Sequence, residues 1–192
     1  MLFSKDITKL WVGNETPRKK RARAQVILRR LKKKYPDAKI ALKYGSNIQL
    51  LAAVIMSAQA TDKKVNEITA VLFKKYKTVN DFADADPRKL AREIRKIGFY
   101  RQKAFSIVTS ARIIRDKFGG RVPKTMAEML TLRGVARKTA NIVLGNAYGV
   151  VEGIAVDTHV RRLSQRLGFS AHDDPVKIEQ DLTKLFARKD WF

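Results

Sequence analysis

The segment Ile48 to Ala58, IQLLAAVIMSA, is apolar almost all the way round when wound at helical pitch. A helix of that kind is stable only if other elements cover every face of it, and it is far shorter than the ~20 residues that span a bilayer. A capping-box pattern, Ser46-x-x-Gln49, opens it and polar Gln59 follows its end. The covering elements are legible as amphipathic helices. Thr16-Pro17 marks a start, with Ala24, Ile27, Leu28, Leu31 and Tyr35 as one stripe until Pro36. Thr61 or Asp62 caps a helix striped by Val65, Ile68 and Leu72. Asp86-Pro87 starts another, whose Leu90, Ile94 and Ile97 face inward and whose left-handed C-terminal cap is expected at Gly98. Phe99 and Tyr100 fill the corner before a helix marked by Ala104, Phe105, Val108, Ala111 and Ile114. Thr125-x-x-Glu128 caps a short helix, Val160, Leu163 and Leu167 follow Asp157, and Asp174-Pro175 opens the last helix. Met1 to Thr16 shows no period and reads as an arm. No strand-like alternation, repeat or low-complexity linker interrupts this pattern, so the sequence predicts an all-α fold of roughly ten helices with short connections.

Charge narrows the partners. The 192 residues carry 41 Lys and Arg against 18 Asp and Glu, a formal net charge of +23. Nucleic acid is the polyanion such a field attracts, through salt-sensitive phosphate contacts; a high-charge thermophile surface or a ribosome-associated protein is the alternative. The run Arg18-Lys19-Lys20-Arg21-Ala22-Arg23 works against its helix dipole and reads as readily as a solvated face as a DNA contact. There is no cysteine, which excludes disulfides, cysteine zinc sites and a cysteine nucleophile, and with His159 and His172 the only histidines a transition-metal site is not expected. The amino terminus has no signal-peptide pattern and no apolar run reaches spanning length, so a soluble, intracellular protein without a membrane partner is expected.

Chemistry concentrates in Leu132 to His159, LRGVARKTANIVLGNAYGVVEGIAVDTH. Gly134 permits a positive φ in a turn that enters a helix carrying Lys138, Ala140, Val143, Leu144 and Ala147. Such a helix start offers unpaired N–H groups and the positive dipole end to a phosphate, with Lys138 in the first turn. Gly149 and Gly153 close the helix, and Ile154-Ala155-Val156 leads Asp157 to a second helix start. On spacing alone, Lys138 is either a reactive amine or a solvated side chain, and Asp157 either a reacting carboxylate or an N-cap.

LRGVARKTANIVL followed by IAVDTH resembles the helix-hairpin-helix and aspartate signature of the endonuclease III group of DNA base-excision glycosylases. SAQATD at Ser57 to Asp62 and IGFYRQKA at Ile97 to Ala104 match the same group in order, so the resemblance runs from about Ala41 to Phe169. It implies two helical lobes: residues 40–150 as a central helical barrel with the helix-hairpin-helix, and 1–39 plus 151–192 as a second lobe built from both termini. An active-site cleft between them would have Lys138 on one side and Asp157 on the other. The implied activity is that of a bifunctional glycosylase and abasic-site lyase, removing oxidised pyrimidines from duplex DNA by base flipping and a lysine Schiff base. Lys138 would be the nucleophile, its pKa depressed by Arg137 and Arg133, and Asp157 would stabilise positive charge on the sugar. Gln59 and Phe99 would enter the DNA stack, while Arg133, Gly134, Ala136 and Arg137 would contact the backbone and His159 would either face a phosphate or simply satisfy its helix start.

Two departures concern the grip: Arg133 stands where the group has proline, and Ala136 where it has glycine. Arg133 adds charge but gives up a rigid φ, and Ala136 adds a Cβ where a phosphate approaches. Relatives also continue into four cysteines that ligate a [4Fe–4S] cluster; here there are none, so no cofactor is expected, in either a shortened chain or a naturally cluster-less one. The expected partner is duplex DNA with damaged bases or abasic sites, bound by a monomer at the nucleoid, or in the nucleus of a eukaryote. The rival readings are a helix-hairpin-helix module without catalysis, an RNA-associated basic protein and a monofunctional glycosylase.

Overall fold

The computed structural model describes residues 15–192, and the arm expected at Met1 to Thr16 lies outside them but for its last two residues. The elements are α1 (Pro17–Lys34), α2 (Asn47–Ser57), α3 (Asp62–Lys75), α4 (Val79–Ala83), α5 (Pro87–Glu93), α6 (Tyr100–Lys117), α7 (Met126–Met129), α8 (Arg137–Tyr148), α9 (Thr158–Arg166) and α10 (Pro175–Leu185), followed by a turn of 3₁₀ helix at Arg188–Asp190. Among the described residues there is no strand, and no helix is long and apolar enough to cross a membrane. They separate into two compact units, Ile40–Val150 and the described part of Met1–Lys39 with Val151–Phe192.

In the central unit α2 is buried along its length from Ile48 to Met56. Leu50, Leu51 and Met56 are among its fully buried side chains, each stabilising by roughly 1.5–3 kcal/mol. Helices α3, α6 and α8 supply the cover. The one polar residue in that stretch of α2, Gln49, is satisfied on both ends: its Oε1 accepts from the Gly45 N–H at 2.8 Å and its Nε2 donates to the carbonyls of Phe73 and Tyr76 at 3.2 and 2.9 Å. The capping box expected at Ser46 does not form. Its hydroxyl donates instead to the Lys77 carbonyl at 3.2 Å, tying α2 to the chain beyond α3. Helix α4, five residues long, opens on a true capping box formed by Thr78 at the N-cap and Asp81 within its first turn. It delivers Phe82 to a stack on Tyr76 at 5.1 Å and an edge contact with Phe73 at 6.4 Å.

The left-handed residue before α6 is not Gly98 but Phe99, with φ 57° and ψ 30°. Gly98 ends no helix here: α5 stops at Glu93 and a looser turn carries the buried Ile94 and Ile97.

In the other unit α1, α9 and α10 surround Ala24, Val156, Phe169, Ile178, Leu182 and Leu185. The α1 stripe is shorter than its spacing suggests, because the core of this unit takes Ala24 and Ile27 while Leu31 and Tyr35 remain 50 % and 56 % exposed. Arg23, from the basic run, is neither solvated nor free for DNA. It pairs with Glu15 at 2.7 Å, donates to the Leu167 carbonyl at 2.7 Å and lies 5.0 Å over the Phe169 ring.

Candidate active site and nucleic-acid interface

The hairpin after α7 is built from backbone turns. The Leu132 N–H donates to the Met129 carbonyl at 3.2 Å and the Val135 N–H to the Leu132 carbonyl at 3.3 Å, while Leu132 and Val135 are buried. Gly134 has φ +75°, and a Cβ placed on it would stand 2.9 Å from Ser106 Cβ, so both its dihedral and its packing on α6 demand glycine. Ser110 completes the attachment, its hydroxyl donating to the Arg133 carbonyl at 2.9 Å. Arg133 is exposed, with its guanidinium 4.7 Å over the Phe105 ring of α6.

Ala136 is the N-cap of α8 and, being alanine, gives no side-chain hydrogen bond to the helix start. The first turn, with half-buried Arg137 and Lys138, therefore presents helix-terminal N–H groups and the positive dipole end directly after the hairpin. Buried Ala140, Val143 and Leu144 hold α8 down, and Gly149 closes it in the left-handed region.

Asp157 caps α9. Its Oδ1 accepts from the N–H groups of His159 and Val160 at 2.9 and 2.8 Å, while Oδ2 takes no hydrogen bond among the described residues. The carboxylate is thus fixed through one oxygen only. The His159 side chain is exposed. Lys138 belongs to the central unit and Asp157 to the other.

Gln59 and Phe99 share a property the sequence did not announce. They are the two non-glycine residues with positive φ among the described residues, at 56° and 57°, a conformation that costs an L-residue roughly 1–2 kcal/mol. Both are exposed, Phe99 by 65 %, and both line one cleft of about 330 Å³ together with Gln102, Lys103, Ser106 and Gly134. The structure therefore brings Gln59, Phe99 and the hairpin glycine to one place, while Arg133, Ala136, Arg137, Lys138, Asp157 and His159 do not line that cleft. Lys103 was missed by sequence reasoning, which treats a lysine in a helix as solvated. It is 7 % exposed, its Nζ donates to the carbonyls of Met56 and Ala58 at 2.9 and 2.5 Å, and burial pushes its ammonium below the usual lysine range.

No group of three or more His, Cys, Asp and Glu able to hold a metal occurs among the described residues. The [4Fe–4S] cluster implied by the resemblance does not fit the residues present, which include no thiolate ligand.

A model of the HhH-GPD superfamily of base excision DNA repair proteins matches residues 52–188. Endonuclease III of Synechocystis sp. is 49 % identical over 172 residues, covering 90 % of this chain and 78 % of that protein, and endonuclease III of Bacillus subtilis is 41 % identical over 158 residues, covering 82 % and 72 %. A solved structure of a trapped endonuclease III–DNA covalent intermediate with an estranged adenine superposes with a TM-score of 0.85 at 41 % identity, covering 89 % of this chain and 80 % of that one. A thermostable thymine-DNA glycosylase, at 22 % identity and a TM-score of 0.75, shares the fold.

Proposed function

The chain belongs to the HhH-GPD superfamily of base excision DNA repair proteins, within its endonuclease III family, and from that premise we propose that it excises oxidised pyrimidines from duplex DNA and then cleaves the strand at the abasic site. Its substrate is the chromosome, at the nucleoid or in a nucleus.

The glycosidic carbon is shielded inside a duplex, so the nucleotide must first leave the stack. Gln59 and Phe99, exposed on strained corners of one cleft, are suited to fill the space it vacates. The Gly134 hairpin and the Ala136 cap, which makes no side-chain hydrogen bond to the helix start, suit a phosphate, with Arg133 and Arg137 adding charge and His159 a further contact.

Lys138 Nζ, as a free amine, then attacks C1′ and the base departs with the glycosidic bonding electrons, taking up a proton. The attached ammonium gives up one of its two protons, the ring oxygen leaves C1′ and takes up a proton as the sugar opens, and the nitrogen, keeping its other proton, becomes a protonated imine to C1′. That imine acidifies C2′; removal of a C2′ proton and expulsion of the 3′ phosphate complete β-elimination, and water releases the lysine. Asp157, anchored through Oδ1, offers Oδ2 to the positive charge that develops on the sugar and to the protons that move. Nucleophile and electron sink are both supplied by the amine, so no step requires a metal or organic cofactor.

The observation that carries this reading is Lys138 in the first turn of a helix opened by a glycine hairpin, in a chain similar to one whose covalent DNA intermediate has been trapped. Borohydride trapping on a duplex with one abasic site tests it. A covalent adduct is expected with the parent and not with Lys138→Ala. Tight binding with no adduct in either would leave a binding module without catalysis.

A further inference from the structure

We propose that Lys103 is a positioning residue that locks the Gln59 and Phe99 corners to each other, so that the two enter DNA as one wedge. The proposal rests on the reading of Gln59 and Phe99 as the residues that enter the stack.

Lys103 bonds to both corners at once. It lies one turn into α6, where its backbone N–H donates to the Phe99 carbonyl at 3.0 Å. Its Nζ crosses to α2, meeting the carbonyl of Met56 and that of Ala58, the residue directly before Gln59. Each corner thus has its peptide chain held by the same residue, one through the main chain and one through the side chain.

The demand for a cation comes from α2. Its last turn contains no basic residue, and its C-cap, Ala58, leaves the helical region with ψ 115° and makes no backbone bond back into the helix. Carbonyls at the end of a buried helix carry partial negative charge and need donors. Lys103 supplies two N–H groups and a charge where the helix has neither. The residue after those carbonyls is Gln59, in a conformation that persists only if its surroundings over-determine it. Lys103 also lines the cleft that Gln59 and Phe99 share.

A purely structural lysine would lower every activity together when removed. A wedge lock acts only where bases must be unstacked. Lys103→Met, Lys103→Gln and Lys103→Arg are therefore compared with Gln59→Ala and Phe99→Ala in two assays: excision of an oxidised pyrimidine from a duplex, and β-elimination at an abasic site in single-stranded DNA. Emission from 2-aminopurine beside the lesion reports unstacking on binding. Lys103→Met and Lys103→Gln are expected to lose about ten- to a hundredfold in duplex kcat, a typical effect of small misplacement, and to lose the 2-aminopurine signal. Their single-strand elimination should stay near the parent rate, which also shows that they fold, and Lys103→Arg should recover most of the loss. Equal losses in both assays, or no duplex loss while Gln59→Ala and Phe99→Ala show one, would overturn the lock alone. Should Lys103→Met fail to fold, the contrast between Gln and Arg decides in the same way. No duplex-selective loss in Gln59→Ala and Phe99→Ala would remove the wedge reading, and the lock with it.

Discussion

Phe99 and Gln59 hold a backbone conformation that glycine would adopt without penalty. Compared with the alanine variants, Phe99→Gly and Gln59→Gly should each raise unfolding stability by roughly 1 kcal/mol, read from urea titrations, and should still be impaired on duplex substrate. A glycine variant that gained stability and kept full duplex activity would show the side chain to be idle. Asp157 poses a sharper separation of roles. Asparagine caps a helix as well as aspartate does, so Asp157→Asn should preserve stability while Asp157→Ala loses about 1 kcal/mol; both should lose excision. Retained excision in Asp157→Asn would reduce this carboxylate to its bonds with the His159 and Val160 N–H groups.

Capped helices were the legible elements. Thr16-Pro17, Asp86-Pro87, Thr125 with Glu128, and Asp174-Pro175 each open a helix where the sequence places one, because a cap is a local hydrogen bond that needs no tertiary context. What escaped depends on distant partners. Ser46 has the right sequence for a capping box and spends its hydroxyl on Lys77; Gly98 has the right chemistry for a left-handed residue, yet Phe99 takes that conformation; Lys103 looks like any surface lysine until α2 ends against it. Helix α4 is too short to show a period. At the site, the hairpin glycine and the aspartate cap were readable from motif and spacing, whereas the shared cleft of Gln59, Phe99 and Gly134 exists only after α2, α6 and the hairpin have packed.

Helix α4 also gives the fold an acid-sensitive point. The N–H groups of Thr78 and Lys77 both bond Asp81 Oδ2 at 2.8 Å and hold its carboxyl below the usual aspartate range. A carboxyl lowered by folding stabilises fully above its unfolded value and loses that contribution as pH falls through the folded one. Thermal midpoints should therefore decline as pH drops below about 4, and Asp81→Asn should flatten part of that decline. An unchanged acid limb in Asp81→Asn would mean that other groups govern it.

At the scale of the whole molecule, +23 net charge predicts binding dominated by counterion release. Lys138→Ala, which cannot become covalently attached, should lose about a thousandfold in affinity for abasic duplex between 50 and 200 mM salt. A shallow salt slope would mean that few of the cations reach phosphate.

The chain's order of synthesis adds a last consequence. Ile40–Val150 is one continuous segment and can pack as soon as it has left the ribosome, but α1 is made first and its partner α10 last. Until Ile178, Leu182 and Leu185 emerge, Ala24 and Ile27 have no core to join. Through that wait the lysines and arginines that crowd α1 act as its solubility tag, repelling other nascent copies and keeping an unfinished helix from aggregating.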